Sequence, residues 1–346
     1  MRRKMDGTLR VGLVGCGGMG NEHLKIIARI PNAQLVGVCD HREPRARRMS
    51  AQHHVPCWID YERFLDEARP QAVHICSPSG LHAEQGIAAA ERGIHVLCEK
   101  PLDIDLAKVD RLIAACDRSK VLLGCIFQRR MGRAAQIVRQ SIAEGRMGRI
   151  LSCSASIKWW RSQVYYDKDD WRGTWALDGG ALANQGIHSI DQMVWMAGPV
   201  AEVEYAHLET ANHRMEAEDF ALVVVRFESG ARGTLEATTC CHPDLATRLE
   251  IYGTHGSAAL DDARVVRYGL EGTDLLDTLE DRGQLTGGGS DPWAISLSGH
   301  EAQIKDFYEA IREGRPPLVD GREARAAVDL LTKIYSRAFP NQKIGT

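Results

Sequence analysis

Two stretches of this chain place ionisable side chains where they could move a proton. In the first, an apolar run at residues 95–98 breaks off into Glu99-Lys100-Pro101, setting two opposite charges at the end of a strand that reads as buried. Pro101 holds Lys100 in extended or turn geometry and raises the chance of a cis bond there. In the second, Asn184 and His188 stand four apart within residues 178–191, a segment of helical spacing, so they are expected to share a helix face with Asp191 one turn on. Oxidising a secondary alcohol needs such groups, because a base takes the hydroxyl proton while hydride leaves the carbon. A lysine becomes that base when burial or a neighbouring cation lowers its pKa, and a histidine on the same hydroxyl titrates with it as a coupled pair. Asn184 carries no titratable proton and is expected to orient substrate. A lone helical histidine, taken by itself, fits a structural role as well.

The hydride needs an acceptor, and the start of the chain has a place for one. An apolar run leads from Leu9 into Gly15-Cys16-Gly17-Gly18-Met19-Gly20, and residues 21–29 then take helical spacing. Gly15 suits a tight turn, Gly17 a close backbone approach to a pyrophosphate, and Gly20 tight helix–strand packing. Gly18 and Met19 open the helix whose N–H groups would face the phosphates. A second run, 34–39, ends in Asp40, about the spacing at which a ribose-binding acid is expected. Asp40 with His41 beside it favours NAD, Arg42 leaves NADP open, and a plain helix cap before Pro44 is the simpler reading of Asp40 alone. The run 72–76 continues into Ser77-Pro78 and on to His82, a polar turn able to touch a nicotinamide or merely to enter a helix. The run 121–127 ends in Gln128-Arg129-Arg130, charges that serve a ligand or a solvated surface. Glu99 is expected to position Lys100 or the nicotinamide side.

Elements that could hold these residues follow from the pattern. Helical segments at 44–52, 61–68, 81–92 and 105–118 separate strand-like runs, which predicts a parallel sheet with helices on both faces, a doubly wound Rossmann domain over residues 1–127. Runs at 152–157, 203–208, 220–227, 233–239 and 248–252 alternate with few helices between them. They predict an α+β domain over 128–346 built on a large, mostly antiparallel open sheet. Helices at 300–313 and 322–337 close the chain and could pack back on the first domain. Residues 281–298, with Gly287-Gly288-Gly289, read as a lid or a connection. The open sheet face is expected to pair subunits, giving a homodimer or homotetramer.

Composition narrows the partners. The 346 residues carry a formal net charge of −3, with 44% hydrophobic and 26% charged side chains, so neither nucleic acid nor membrane is expected as a partner. The basic start has no apolar stretch behind it, which suggests a cytoplasmic protein. Ten cysteines fall mostly in apolar runs, as reduced, buried thiols do. His53-His54 with Cys57, and Cys240-Cys241-His242, lack a second half at zinc spacing, so no metal is expected.

Together the glycine fingerprint, Ser77-Pro78 with His82, the Glu99-Lys100-Pro101 element and Gly186-Ile187-His188-Ser189-Ile190-Asp191 resemble the glucose-fructose oxidoreductase, inositol dehydrogenase and rhizopine catabolism (Gfo/Idh/MocA) family. The resemblance runs from Leu9 to Tyr335. It implies NAD(P)-dependent oxidation of a sugar, polyol or derivative, with Lys100 and His188 as the catalytic pair. Trp171-Arg172-Gly173-Thr174-Trp175 resembles a segment that lies near cofactor and substrate in many members, and Gln128 joins the cofactor set. Arg129, Lys158, Tyr166 and Asn184 are expected on the substrate side. Lys158, Arg161, Tyr165, Tyr166, Asp170 and Arg172 form a polar, aromatic set that suits a polyhydroxylated ring. Members often carry Asp where Asn184 stands, so a proton relay through that position is in doubt. A redox-neutral enzyme that retains NAD is the alternative, and a dinucleotide-binding regulator a more distant one.

Overall fold

The computed structural model describes residues 7–279, 282–283 and 297–341. The chain divides into two compact units: one ends at Ile126 and takes in His300–Arg325, the other runs Phe127–Gly299 and resumes at Ala326.

In the first unit, strands and helices alternate as β1 (Leu9–Val14), α1 (Gly18–Ile27), β2 (Ala33–Cys39), α2 (Glu43–His53), β3 (Cys57–Trp58), α3 (Tyr61–Ala68), β4 (Ala72–Ile75), α4 (His82–Glu91), β5 (His95–Cys98), α5 (Leu106–Ser119) and β6 (Leu123–Cys125). The sheet order is β3-β2-β1-β4-β5-β6 with every pairing parallel, so the order reverses between β1 and β4. A crevice forms at such a reversal, beyond the carboxyl ends of the strands. β4 is buried along its whole length, as a strand covered on both faces must be. Local signals set several helix starts: the Asp60 carboxylate accepts the Arg63 N–H, and Asp105 accepts those of Ala107 and Lys108. The expected strand at 121–127 contracts to β6, whose partner beyond the sheet is Val319 through the Cys125 N–H at 3.3 Å.

The second unit contains α6 (Arg133–Ala143), β7 (Ile150–Lys158), α7 (Gln163–Asp167), α8 (Ile187–Ala197), β8 (Val200–Glu209), β9 (Phe220–Phe227), β10 (Arg232–Thr238), β11 (Arg248–Gly253), β12 (Gly256–Asp261), β13 (Arg264–Leu270) and β14 (Thr273–Asp274). Its eight strands run in the order β14-β13-β12-β11-β7-β10-β9-β8, antiparallel except for β10 with β7. One face is covered by α8, which packs on β7, while Tyr205, Leu222 and Tyr252 stay about half exposed. The chain closes with α9 (Ser298–Glu313) and α10 (Gly321–Ala338). Of the glycine-rich stretch, residues 284–296 lie outside the described residues, so the lid expectation falls there.

The helix expected at 178–191 is not regular. Leu182–Gly186 forms a π-helical turn, in which the Gly186 N–H bonds five residues back to Ala181, and the α-helical bonding starts only at Ile187. The π turn takes in Asn184 and ends just before the α-helical turn that carries His188, so the segment joining the two residues is not α-helical throughout. Such single wide turns recur at functional sites. Among the described residues, no helix is long and apolar enough to cross a membrane.

Candidate active site

At the carboxyl edge of the first sheet, the β1–α1 turn is shaped by two steric demands. Gly15 has φ +92°, and a Cβ on it would overlap the backbone of Cys76 and Ser77, so β1 and β4 pass too closely for any other residue. A Cβ on Gly20 would overlap the Gly15 carbonyl, which lets α1 sit directly against the turn. Gly17 differs: a Cβ there meets nothing within 4 Å. Packing does not explain a glycine at that position, whereas an approaching ligand backbone does. Gly17 also caps α1 without any side-chain bond, leaving the amides around Gly18 and Met19 uncapped by a side chain, as a phosphate site requires. These features fit a bound dinucleotide.

Asp40 closes β2 and is only 5% exposed. Its Oδ2 accepts the Cys16 N–H at 2.8 Å and its Oδ1 the Arg42 N–H at 2.8 Å, which fixes the carboxylate directly beside the glycine turn. His41 stands outside, exposed, with Nδ1 3.6 Å from Asp40. Ser77 gives its hydroxyl to Gln85 Oε1 at 2.6 Å, and Pro78 leads into a short turn over Ser79–Leu81. His82 departs from the expected cofactor role. It is buried, with Nδ1 2.7 Å from the Pro101 carbonyl and Nε2 2.9 Å from that of Ser77, so both ring nitrogens tie two turns together and none faces a ligand.

Past β5, Glu99 is buried and Lys100 half-buried, and the Lys100–Pro101 bond is cis. Glu99 Oε1 lies 2.9 Å from Nε2 of His23 on α1, and Oε2 accepts the Lys100 N–H at 3.2 Å. Burial pushes the Glu99 pKa up, but the His23 hydrogen bond, followed by the nearness of His23, His300 and Lys100, carries it down to about 2. Glu99 is therefore a carboxylate that steadies the turn bearing Lys100.

In the second unit, Asp178 gathers residues expected on the substrate and cofactor sides. Its Oδ1 accepts Nδ2 of Asn184 at 2.6 Å and its Oδ2 the Gly173 N–H at 2.8 Å, joining the Trp171–Arg172 segment to the π-helical turn. Glu218 meets the same turn: Oε1 accepts the Leu182 N–H at 2.9 Å and the Tyr335 hydroxyl at 3.2 Å. Burial first, then Asp178, raises the Glu218 pKa to about 7 against three hydrogen bonds that lower it. His188 is half-buried, its ring edge-on to Phe127 at 5.8 Å. The Arg172 guanidinium stacks over Tyr165 at 4.2 Å and Trp171 at 4.5 Å. Gln128 opens a short turn beside Gly299.

Three expected substrate ligands are engaged elsewhere. Arg129 is buried, reaching Ser189, Gln192 and Thr247 at 3.5 Å each, and burial lowers its pKa; it serves the interior of its unit. Arg130 likewise pairs with Asp191 at 2.6 and 2.9 Å, so neither arginine solvates a surface. Lys158 pairs with Glu236 at 2.8 Å. The period of two in β7 puts it on the face opposite Cys153, Ala155 and Ile157, away from α8 and His188. Tyr166 is buried, its hydroxyl 2.8 Å from that of Thr239.

His213, Asp219 and Cys240 bring a ligand atom each within 4.8 Å of one another, a grouping that sequence spacing did not suggest. The Asp219 carboxylate already accepts the N–H groups of Ala211, Asn212 and His213, and His213 bonds Asp219 and the Arg161 carbonyl at 2.8 Å each. Those bonds make it a structural clamp. Sequence reasoning also passed over Asp178, His23, His74 and Tyr308. The one visible signal was a histidine inside the apolar run of β4.

A parallel sheet with this glycine turn and acid defines a dinucleotide-binding class. Residues 9–127 match the oxidoreductase family with an NAD-binding Rossmann fold, and residues 135–259 match the GFO/IDH/MocA C-terminal domain. The chain belongs to the GFO/IDH/MocA family, and its first unit is an NAD-binding Rossmann domain. Similar proteins include myo-inositol 2-dehydrogenase of Thermotoga maritima, 28% identical over 92% of this chain and 93% of that one. Levoglucosan dehydrogenase of Pseudarthrobacter phenanthrenivorans is 26% identical over 94% and 96%. The WlbA dehydrogenase of Bordetella pertussis, solved with NADH and UDP-GlcNAcA, superposes with a TM-score of 0.87 at 31% identity over 98% of each chain.

Proposed function

We propose that this chain is an NAD-dependent dehydrogenase of a secondary hydroxyl on a sugar, polyol or sugar derivative, with Lys100 and His188 handling the hydroxyl proton. The observation that carries the reading is the position of Lys100. It continues directly from β5 at the carboxyl edge of the NAD-binding sheet, the edge at which Gly15 and Asp40 also lie. Bound NAD supplies the acceptor for the hydride that leaves the substrate carbon. Lys100 takes the hydroxyl proton, and Glu99 holds the Lys100 backbone while it does so. Asn184 gives its Nδ2 to Asp178, which fixes the orientation of its amide toward a substrate. Asp40 in the ribose position favours NAD over NADP. Relatives named for myo-inositol and levoglucosan, and a neighbour solved with UDP-GlcNAcA, support a polyhydroxylated substrate. The open face bearing Tyr205, Leu222 and Tyr252 pairs subunits in this reading, which light scattering on purified protein checks.

The test is Lys100→Ala. NAD binding stays within a fewfold of wild type while turnover falls by about 10²–10⁴, the usual worth of a general base. Turnover near wild type in Lys100→Ala removes the assignment.

A further inference from the structure

Behind the Glu99 end of β5 lies a line of side chains that the proposed chemistry leaves unused. The hydroxyl of Tyr308 on α9 is 2.9 Å from Nε2 of His74 on β4. Nδ1 of His74 is 2.8 Å from Nδ1 of His23, whose Nε2 is 2.9 Å from Glu99 Oε1. All four residues belong to the first unit, and none is more than 5% exposed. The ring of His300 on α9 closes the same pocket, 6.3 Å from that of His23.

The ends of the line assign its protons. A carboxylate only accepts, so His23 donates from Nε2. Burial holds His74 well below the usual imidazole range, and it is neutral. With the single proton of neutral His74 on Nδ1, His23 Nδ1 accepts from it, and His74 Nε2 accepts from the Tyr308 hydroxyl. Run the other way, the line needs a cationic His23 and a further buried acceptor for the Tyr308 proton. Only the forward sense gives each donor on the line its acceptor without a buried imidazolium.

We propose that this one-way line keeps Glu99 a carboxylate at the cofactor edge, and that its charge makes the site bind oxidised, cationic NAD in preference to the reduced form. The inference rests on the NAD-binding reading. Tyr308 and His74 are positioning residues that act through His23. The titratable groups facing Glu99 are His23 on α1, Cys76 after β4, Cys98 on β5, Lys100 and His300. Burial pushes both thiols up and His300 down to about 4, so they are uncharged at neutral pH. Lys100 is present in wild type and in Glu99→Gln alike, so its own effect on the NAD-to-NADH ratio cancels when the two proteins are compared.

The experiment is calorimetric titration of wild type, Glu99→Gln and Tyr308→Phe with NAD and with NADH at pH 8 and pH 5.5, each variant first checked by thermal melt. In Glu99→Gln the Kd for NAD rises about tenfold and that for NADH changes less than twofold, the scale of one charge acting through a partly shielded medium. Tyr308→Phe keeps its ring, holds the wild-type Kd ratio at pH 8 and loses part of it at pH 5.5, where ring protons no longer fixed by the Tyr308 donor let Glu99 share a proton with His23. A ratio in Glu99→Gln within twofold of wild type overturns the charge role. A ratio in Tyr308→Phe that ignores pH as wild type does overturns the positioning role. Failure of wild type to bind either form overturns the NAD reading itself, and this inference with it.

Discussion

Gly17→Ala separates ligand binding from folding more cleanly than any other single change in the glycine turn. Gly17 has φ −77°, which an alanine adopts, and its Cβ would meet nothing within 4 Å. Restricting the unfolded chain stabilises by about 0.4–1 kcal/mol. Alanine is a poorer helix cap than glycine, and that offsets a similar amount. The net change in stability is then within about 1 kcal/mol, a shift of roughly 2–4 °C at most in a domain of this size. The same methyl would occupy the space a pyrophosphate enters. Losing one charge-assisted hydrogen bond to the phosphates costs about 1.5–3 kcal/mol, so the Kd for NAD rises roughly 10- to 150-fold. Isothermal titration with NAD, paired with a melting curve of the free protein, reads both quantities. Gly15→Ala supplies the contrast. Its φ of +92° and its overlap with Cys76 cost stability with no ligand present, by about 1–3 kcal/mol for the backbone strain alone. A Gly17→Ala protein that binds NAD within twofold of wild type refutes the claim that the cofactor backbone approaches there.

Two further outcomes follow from the second unit. Asp178→Asn leaves one acceptor oxygen for two donors, the Asn184 amide and the Gly173 N–H, so KM rises and kcat falls, each about tenfold, while the exchanged pair Asp178→Asn with Asn184→Asp recovers most of KM; steady-state kinetics on the active substrate decide it, and no change in either single-variant constant contradicts the role given to Asp178. Glu218 has a folded pKa raised from 4.5 to about 7, so the stability tied to its proton is complete below pH 4.5 and is lost as pH rises to about 7. That loss is on the order of 3 kcal/mol. Glu218→Gln therefore melts higher relative to wild type at pH 8 than at pH 4, and parallel melting curves across that range count against a protonated Glu218.

Most of the first unit was readable because its signals are local. A run such as 72–75, too apolar for a surface strand and bounded by a polar turn, admits little except a buried parallel strand, and the acid after β2 sits at a distance set by one helix and one strand. The second unit was read in outline only. β12 and β13 went unseen because Gly256, Ala258, Ala259 and Gly269 dilute the alternation that marks a strand. The π-helical turn at Leu182–Gly186 escaped because apolar spacing looks alike in α and π geometry over five residues, and the carboxylate that receives the Leu182 N–H at its start, Glu218, lies 36 positions away. Arg129 and Lys158 misled for a related reason. A cation in a motif-rich stretch reads as a ligand until a distant partner, Thr247 or Glu236, shows where its charge goes. Tyr308 and His74 meet across 234 positions, a separation that no sequence window spans.

The central claim is net hydride transfer to NAD from a polyhydroxylated substrate. The most direct measurement is absorbance at the reduced-nicotinamide band, with purified protein, NAD or NADP, and a panel of inositols, levoglucosan, aldoses, uronates and UDP-GlcNAcA. The account predicts a rise with NAD for a member of this panel, a weaker rise with NADP, and none in Lys100→Ala. Substrate consumed with no reduced cofactor released, or a rise undiminished in Lys100→Ala, would contradict it.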